Sequence, residues 1–313
     1  MNKERQELIQ KLEQMTNCDV YILFTSGGEQ FYSISPEILP VFTKSIFSRR
    51  KGRHKNAILV LETNGGDPTT VMAVVKQLRE SYKKIYGFAF NRCFSAGTLG
   101  MFATDEIYMS RYAMFTPIDL QCNITPEPGF RPVIAHFNAF TSRTDSDREL
   151  LFAEMYPAEY LTAITSLRYS TQTLRPNFEN HCKPETLEMA WEYFEGGAGL
   201  HSTKISRTQA IKEFGLKIKS MPACVEALLF EIMESYTEDT KMLVDSLDNL
   251  EEVNAYFETR NLSYEHYAKY QPVQTEINKT IEEDVENDVD SSKKQTKKVV
   301  ASDKYCVESG WRT

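Results

Sequence analysis

The stretch AILVLETNGGDPTTVMAVVKQLRESYKKIYGFAFNRCFSAGTLG, residues 57–100, decides the fold. AILVLET (57–63) is a continuous apolar run of the kind found in strands buried on both faces. Asp67-Pro68 then supplies an N-cap with Pro at the first helical position. Val71, Val74, Val75, Leu78 and Tyr82 follow at helical spacing and give one apolar face. KIYGFAF (84–90) reads as a second strand, and SAGTLGMFAT (95–104) as a short buried helix. EIYM (106–109) and MFTPIDL (114–120) read as further strands. Strands alternating with crossover helices predict an α/β fold with a parallel sheet and right-handed connections.

Outward from this core the pattern changes. Residues 3–15 read as a polar helix, and CDVYILFT (18–25) as a strand. Ser26-Gly27-Gly28-Glu29 is turn chemistry and QFYSI (30–34) returns as a strand, so 18–34 reads as a hairpin. No Lys-Ser/Thr and no helical pattern follows Gly27-Gly28, which argues against a phosphate cradle. After about residue 145 the chain turns helical, through DRELLFAEMYPAEYLTAITSLRY (147–169) and PETLEMAWEYF (184–194). Ser206 and Gln209 form a capping box, Gly215 closes that short helix, and a last helix starts at Pro222. From about 277 an acidic run and then a basic run, with few apolar residues, read as a solvated, disordered tail.

The whole chain is 313 residues, 41% hydrophobic and 26% charged, which excludes a wholly disordered or collagen-like protein. No run reaches the roughly 18 apolar residues of a bilayer span. The charged N-terminus lacks an apolar h-region, so no secretory signal is expected there. A net charge of −8 argues against a dedicated nucleic-acid binder. Cysteines 18, 93, 122, 182, 224 and 306 include no CxxC pair and read as scattered reduced thiols, with no metal site implied. A cytoplasmic protein is the expectation.

Two short segments carry the chemistry. In LETNGGD (61–67) a buried strand ends at two glycines, Gly65 and Gly66, just before a helix N-cap, so backbone N–H groups can approach a ligand closely. In NRCFSAGTLG (91–100) the next strand ends at Ser95 as a helix begins, in the positive potential of its N-terminus. If the two strands are neighbours, Gly66 and Ala96 present two N–H donors to one oxygen beside Ser95. That is the layout of a nucleophile with an oxyanion hole. Either half alone reads as a tight turn or an N-cap. The pair, about 30 residues apart as a βαβ unit requires, says more.

LETNGGDPTTVMAVVKQLRE followed by SAGTLGMFATDEIYMSRYAMFTPIDLQ resembles the Clp/crotonase-fold serine peptidases, most of all the serine dehydrogenase proteinase family, relatives of signal peptide peptidase A and the Clp protease subunit. The family pattern runs T-x-G-G, S-A/G-G-T-L, D-E-I-x-M and G-P-I/V-D-P-Q. This chain offers Thr63-Asn64-Gly65-Gly66, Ser95-Ala96-Gly97-Thr98-Leu99, Asp105-Glu106-Ile107-Tyr108-Met109 and Thr116-Pro117-Ile118-Asp119-Leu120-Gln121. Leu200-His201-Ser202-Thr203-Lys204-Ile205-Ser206 leading to Glu213-Phe214-Gly215-Leu216 is similar to the family's T-H-x-x-P-I-T…G-L element. The resemblance covers about residues 5–235; Thr116 and Leu120 depart from it, standing where the family has glycine and proline.

The general base is open at this point. Signal peptide peptidase A and its relatives use a Ser-Lys dyad, and no lysine lies between Lys84 and Lys183 here. Clp proteases use Ser-His-Asp, and at the place of their histidine this chain has Ile118-Asp119. The resemblance favours His201 as base. His136, 41 residues after Ser95, and Lys204 are the alternatives. Asp119 either orients an imidazole or caps a strand end. Cys93 reads as a packed thiol, and His54 as solvated.

The resemblance therefore implies a cytoplasmic serine endopeptidase of Clp/crotonase-like fold acting on a peptide or protein, with no cofactor and a homo-oligomeric assembly. Its catalytic residues would be Ser95, His201 and Asp119, with Gly65, Gly66 and Ala96 at the oxyanion hole. The expected organisation is an N-terminal helix and hairpin over 1–50, the peptidase domain over 51–240, a helical extension over 241–276 and a disordered tail over 277–313. Two rivals stand beside it: an inactive scaffold or effector subunit of the same fold, and a crotonase-like enzyme acting on acyl-thioesters.

Overall fold

The computed structural model describes residues 2–25, 33–49, 54–123, 130–132, 161, 164–166, 168–195, 201–239, 243–246, 249–281 and 295–312. Its strands are β1 (Asp19–Phe24), β2 (Asn56–Thr63), β3 (Lys84–Cys93), β4 (Glu106–Met109), β5 (Met114–Phe115), β6 (Gln121–Asn123), β7 (Phe130–Pro132), β8 (Ile205–Ser206), β9 (Ile218–Ser220), β10 (Leu243–Ser246), β11 (Asn249–Thr259), β12 (Leu262–Ile281) and β13 (Gln295–Arg312). The main sheet runs β13-β12-β11-β1-β2-β3-β4-β9, with β6 and β7 forming a separate ribbon. β1, β2, β3, β4 and β9 are parallel neighbours, whereas β11 to β13 join antiparallel beyond β1. The parallel α/β core predicted for 57–109 is what folds.

Side chains alternate between two helical layers, as period-two strands require. Tyr21, Leu23, Leu59 and Leu61 pack with α2 (Ile38–Ser48), α3 (Pro68–Arg79), α4 (Ala96–Phe102) and the aromatic pair Phe178 and Phe194. Val20, Ile22, Ile58 and Val60 face α1 (Lys3–Thr16) and the helix Ala223–Asp239. A strand covered on both faces must be apolar at every position but those held by hydrogen bonds, which explains the run AILVLET. α3 starts where predicted, because the Asp67 carboxylate accepts from the Thr69 and Thr70 backbone N–H groups and Pro68 needs no partner. The Ser206–Gln209 capping box forms, and Gly215 has φ +65°, as a helix terminator needs.

Four expectations are corrected or narrowed. The 18–34 hairpin is not the pairing of β1: that strand lies between β2 and β11, and Ile34 forms a parallel bridge to Gly66 instead. Residues 26–32 fall outside the described residues. MFTPIDL is strand only at Met114–Phe115. The expected helical extension over 241–276 is strand, β10 to β12. The physical reason lies in Leu262, Tyr264 and His266 alternating with Ser263, Glu265 and Tyr267, a period of two and not 3.6. The disordered tail expected from 277 is narrowed: residues 282–294 lie outside the described residues, while Ile277–Ile281 and Gln295–Arg312 pair as strands, with Ile277 opposite Val299. Most of the predicted helix over 147–169 falls outside the described residues. Among the described residues no helix is long and apolar enough to cross a membrane.

Candidate active site

The ends of β2 and β3 build the site. After Cys93, the Phe94 N–H donates to Thr63 O at 3.1 Å, and the chain then reverses into α4 with Ser95 at φ 50°, ψ −115°. Only glycine adopts that conformation without strain; for serine the cost is of the order of 1–3 kcal/mol. Three bonds hold it there. The Ser95 N–H donates to Thr116 Oγ1 at 2.8 Å, the Thr116 N–H donates to Thr98 Oγ1 at 3.2 Å, and the Thr98 hydroxyl donates to Cys93 O at 2.6 Å. Thr116, one of the departures from the family pattern, is thus the acceptor that pins the turn at Ser95.

The two glycines are needed for different reasons. Gly65 has φ +110°, and a Cβ on it would stand 2.8 Å from Ser95 Cβ. Gly66 has φ +142°, and its Cβ would stand 2.4 Å from both the N and O of Ile34. The Ile34 bridge uses Gly65 O, at 2.8 Å from Ile34 N, and Asp67 N, at 2.7 Å from Ile34 O. A parallel bridge of that kind turns the N–H of Gly66 to the opposite side. Among the described residues neither the Gly66 N–H nor the Ala96 N–H has a hydrogen-bond partner. The Gly65 N–H, the third expected donor, is occupied by Thr63 Oγ1 at 3.0 Å, so the part left to Gly65 is close approach.

Asp119 and His201, 82 positions apart, meet at 2.7 Å between Oδ1 and Nδ1. Asp119 is 4% exposed, and its Oδ2 accepts from Gln121 Nε2. Since a carboxylate can only accept, His201 carries its proton on Nδ1 and leaves Nε2 as the basic nitrogen. Gln121 Nε2 also stands 3.3 Å from His201 Nδ1, but two donors cannot pair, so its bond is the one to Asp119. Ser95, Ala96, Gly65, Gly66, Asp119 and His201 all line one cavity of about 390 Å³. No hydrogen bond joins Ser95 Oγ to His201 among the described residues, a common condition in a site without substrate.

The alternatives that can be placed fall elsewhere. Lys204 is exposed and is not among the residues lining this cavity. His136 lies outside the described residues. His54, His181 and His266 do not line the cavity; His181 is buried with Nε2 at 2.8 Å from Thr104 O. Cys93 is wholly buried and burial pushes its thiol well up, as befits a packed sulfur.

Asn64 carries no signal of its own in the sequence. Its Nδ2 is buried in the cavity wall without a hydrogen-bond partner among the described residues, an arrangement that costs about 1–3 kcal/mol unless a ligand fills it. The one pointer is its place between Thr63 and the glycines, and that needs the cavity to give it meaning.

No family model matches this chain, and no curated protein matches it. Solved structures with weak similarity to this chain do exist. The 1510-N membrane-bound stomatin-specific protease is 12% identical, covering 67% of this chain and 82% of its own, with a TM-score of 0.37. ClpP1 from Listeria monocytogenes is 9% identical, covering 70% of this chain and 98% of its own, with a TM-score of 0.43. An enoyl-CoA hydratase/isomerase from Marinobacter aquaeolei is 11% identical, covering 66% and 68%, with a TM-score of 0.34. Likeness at these values carries no argument about what this chain does, and the mixed α/β architecture rests on the topology above.

Proposed function

We propose that this chain is a serine hydrolase that cleaves peptide bonds. The observation that carries the reading is the strained Ser95 turn, lying in one cavity with the free N–H groups of Gly66 and Ala96 and with an Asp119–His201 pair. Ser95 Oγ attacks the carbonyl carbon as His201 Nε2 takes its proton, and Asp119 holds the imidazolium that forms. The oxyanion accepts from Gly66 and Ala96, each donor contributing about 3–4 kcal/mol in sites of this kind. His201 returns the proton to the leaving amine, and water then repeats the attack on the acyl-enzyme. Asn64 Nδ2 gains a partner when a substrate carbonyl enters. Homo-oligomeric assembly and a cytoplasmic location stay as expectations of the sequence resemblance.

A fluorophosphonate probe tests the reading. One adduct per chain, mapped to Ser95 by peptide mass spectrometry, is the expected result. No adduct would favour the scaffold reading, and hydration of an acyl-thioester without an adduct would favour the crotonase-like one.

Gly66→Ala should lower the labelling rate by about 100-fold at equal folded fraction, since the Ile34 backbone forces any Cβ, and the N–H with it, to move. Tm should fall too, because φ +142° suits glycine alone. Labelling within three-fold of wild type, about 0.7 kcal/mol, would remove Gly66 from the oxyanion site.

A further inference from the structure

One buried ionisable group beside the site has no part in the chemistry above. Glu62 sits inside the apolar run of β2, 2% exposed. Opposite it the pairing of β2 with β3 breaks register: Leu61 faces Ala89 and Thr63 faces Cys93, leaving Phe90, Asn91 and Arg92 against a single residue. The backbone N–H groups of such a bulge lose their ladder partners. The Glu62 carboxylate replaces them. Its Oε2 accepts from the Asn91 and Arg92 N–H groups, both at 3.0 Å, while Oε1 accepts from the Arg92 N–H at 3.1 Å and from Arg92 Nε at 3.2 Å. The Glu62 main-chain O meanwhile accepts from Thr25 N at 2.8 Å. One residue thus ties together β1, the strand leading to Gly65-Gly66, and the strand leading to Ser95.

We propose that Glu62 is a positioning residue whose ionised carboxylate sets the spacing between the Gly65–Gly66 turn and Ser95, so that protonating it loosens the oxyanion site without unfolding the protein. The inference rests on the serine-hydrolase reading and deepens it with a form of regulation. A neutral acid serves these three donors less well, because the oxygen that takes the proton becomes a donor facing N–H groups and keeps only weak acceptor capacity. Burial pushes this carboxyl up to about 6, against the pull of its bonds to Arg92 and Asn91. The charged and titratable groups around it are Arg92 and the buried, neutral Cys93 thiol on β3, and Glu234 and Glu238 of the helix Ala223–Asp239, which share a cavity of about 300 Å³ with it; Phe24 of β1 and the adjoining Thr25 bring no charge. A carboxyl that titrates higher in the fold than its ordinary 4.5 favours folding when protonated. Stability from this group is therefore full below 4.5 and is given up as pH rises through about 6. Acid should cost activity here and not Tm.

The test compares fluorophosphonate labelling of Ser95 in wild type, Glu62→Gln and Glu62→Asp from pH 5 to 8. In wild type protonation of Glu62 should add its own fall in labelling rate as pH drops through about 6. Glu62→Gln should label at least ten-fold slower at pH 8 and lack that fall; Glu62→Asp should recover part of the rate and regain a fall on the acid side. A wild-type rate in Glu62→Gln, or the same fall through pH 6 in that variant, overturns the proposal while leaving Ser95 as nucleophile. Failure of the wild type to label at all overturns the underlying reading instead. Should Glu62→Gln not fold, hydrogen exchange in wild type decides. Protection of residues 88–95, corrected for intrinsic rate, should fall at least ten-fold between pH 7.5 and 5 with β2 unchanged. Equal protection at both pH values overturns the proposal.

Discussion

Ser95→Gly should melt at a higher temperature than wild type and have no measurable hydrolytic activity. Both halves follow from one torsion pair. At φ 50° and ψ −115° a serine bears strain of about 1–3 kcal/mol that glycine does not feel. The bonds that fix the turn come from the main chain, namely Ser95 N to Thr116 Oγ1 and Gly97 N to Phe94 O, and glycine keeps both. Removing the hydroxyl removes the nucleophile, and losses in such sites are of the order of 10⁴-fold or more. Ser95→Ala keeps the strain and loses the hydroxyl, so it separates the two effects: equally dead, with no gain in Tm. Strain held at a serine whose side chain makes no capping hydrogen bond fits a residue held for chemistry. A residual fluorophosphonate adduct in either variant would place the nucleophile elsewhere. A Tm of Ser95→Gly at or below that of Ser95→Ala would show that the turn is not strained.

How far the sequence reveals this site depends on how local each signal is. The β2–α3–β3–α4 alternation lies between Asn56 and Phe102 and announces itself through Asp67-Pro68, the apolar runs and the Gly-Gly turn. Both halves of the proposed oxyanion site are therefore legible in the residues alone. The neighbour of β1 on its other side, β11, begins 230 positions further on, and nothing in the local pattern names it. The extension over 241–276 passes for helix because glutamates and tyrosines are compatible with one until the period is counted. Glu62 is legible in principle. A lone carboxylate inside an all-apolar buried strand must have partners, since an unpaired charge there would be several kcal/mol too costly. Which partners it has depends on a bulge that one strand cannot show. His201 and Asp119 carry no local signal of meeting, and only the family-like motifs suggest it. The 82 positions between them also explain why a rule based on a nearby lysine or histidine finds no base here.

Asp119→Asn should slow Ser95 labelling by about 10³–10⁴-fold, more than Asp119→Ala does, with little change in fold. The asymmetry comes from Gln121. In wild type the carboxylate accepts from two donors, His201 Nδ1 and Gln121 Nε2. An asparagine has one oxygen and one NH₂ for the same two places. Turning the oxygen toward Gln121 sets the NH₂ against His201 Nδ1, which must then accept, so the ring proton moves to Nε2 and blocks the basic nitrogen. Turning it the other way sets NH₂ against NH₂. Alanine imposes neither choice and leaves a mobile but usable imidazole. A specific rescue follows: Gln121→Glu in the Asp119→Asn background supplies an acceptor for the NH₂ and lets the asparagine oxygen face His201 again. That double variant should regain at least ten-fold in labelling rate, whereas Gln121→Glu alone, which sets two carboxylates side by side, should lose activity. His201→Ala should label as slowly as the worst of these. If Asp119→Asn labels within three-fold of wild type, Asp119 only caps the end of its segment and the pair with His201 is incidental to the chemistry.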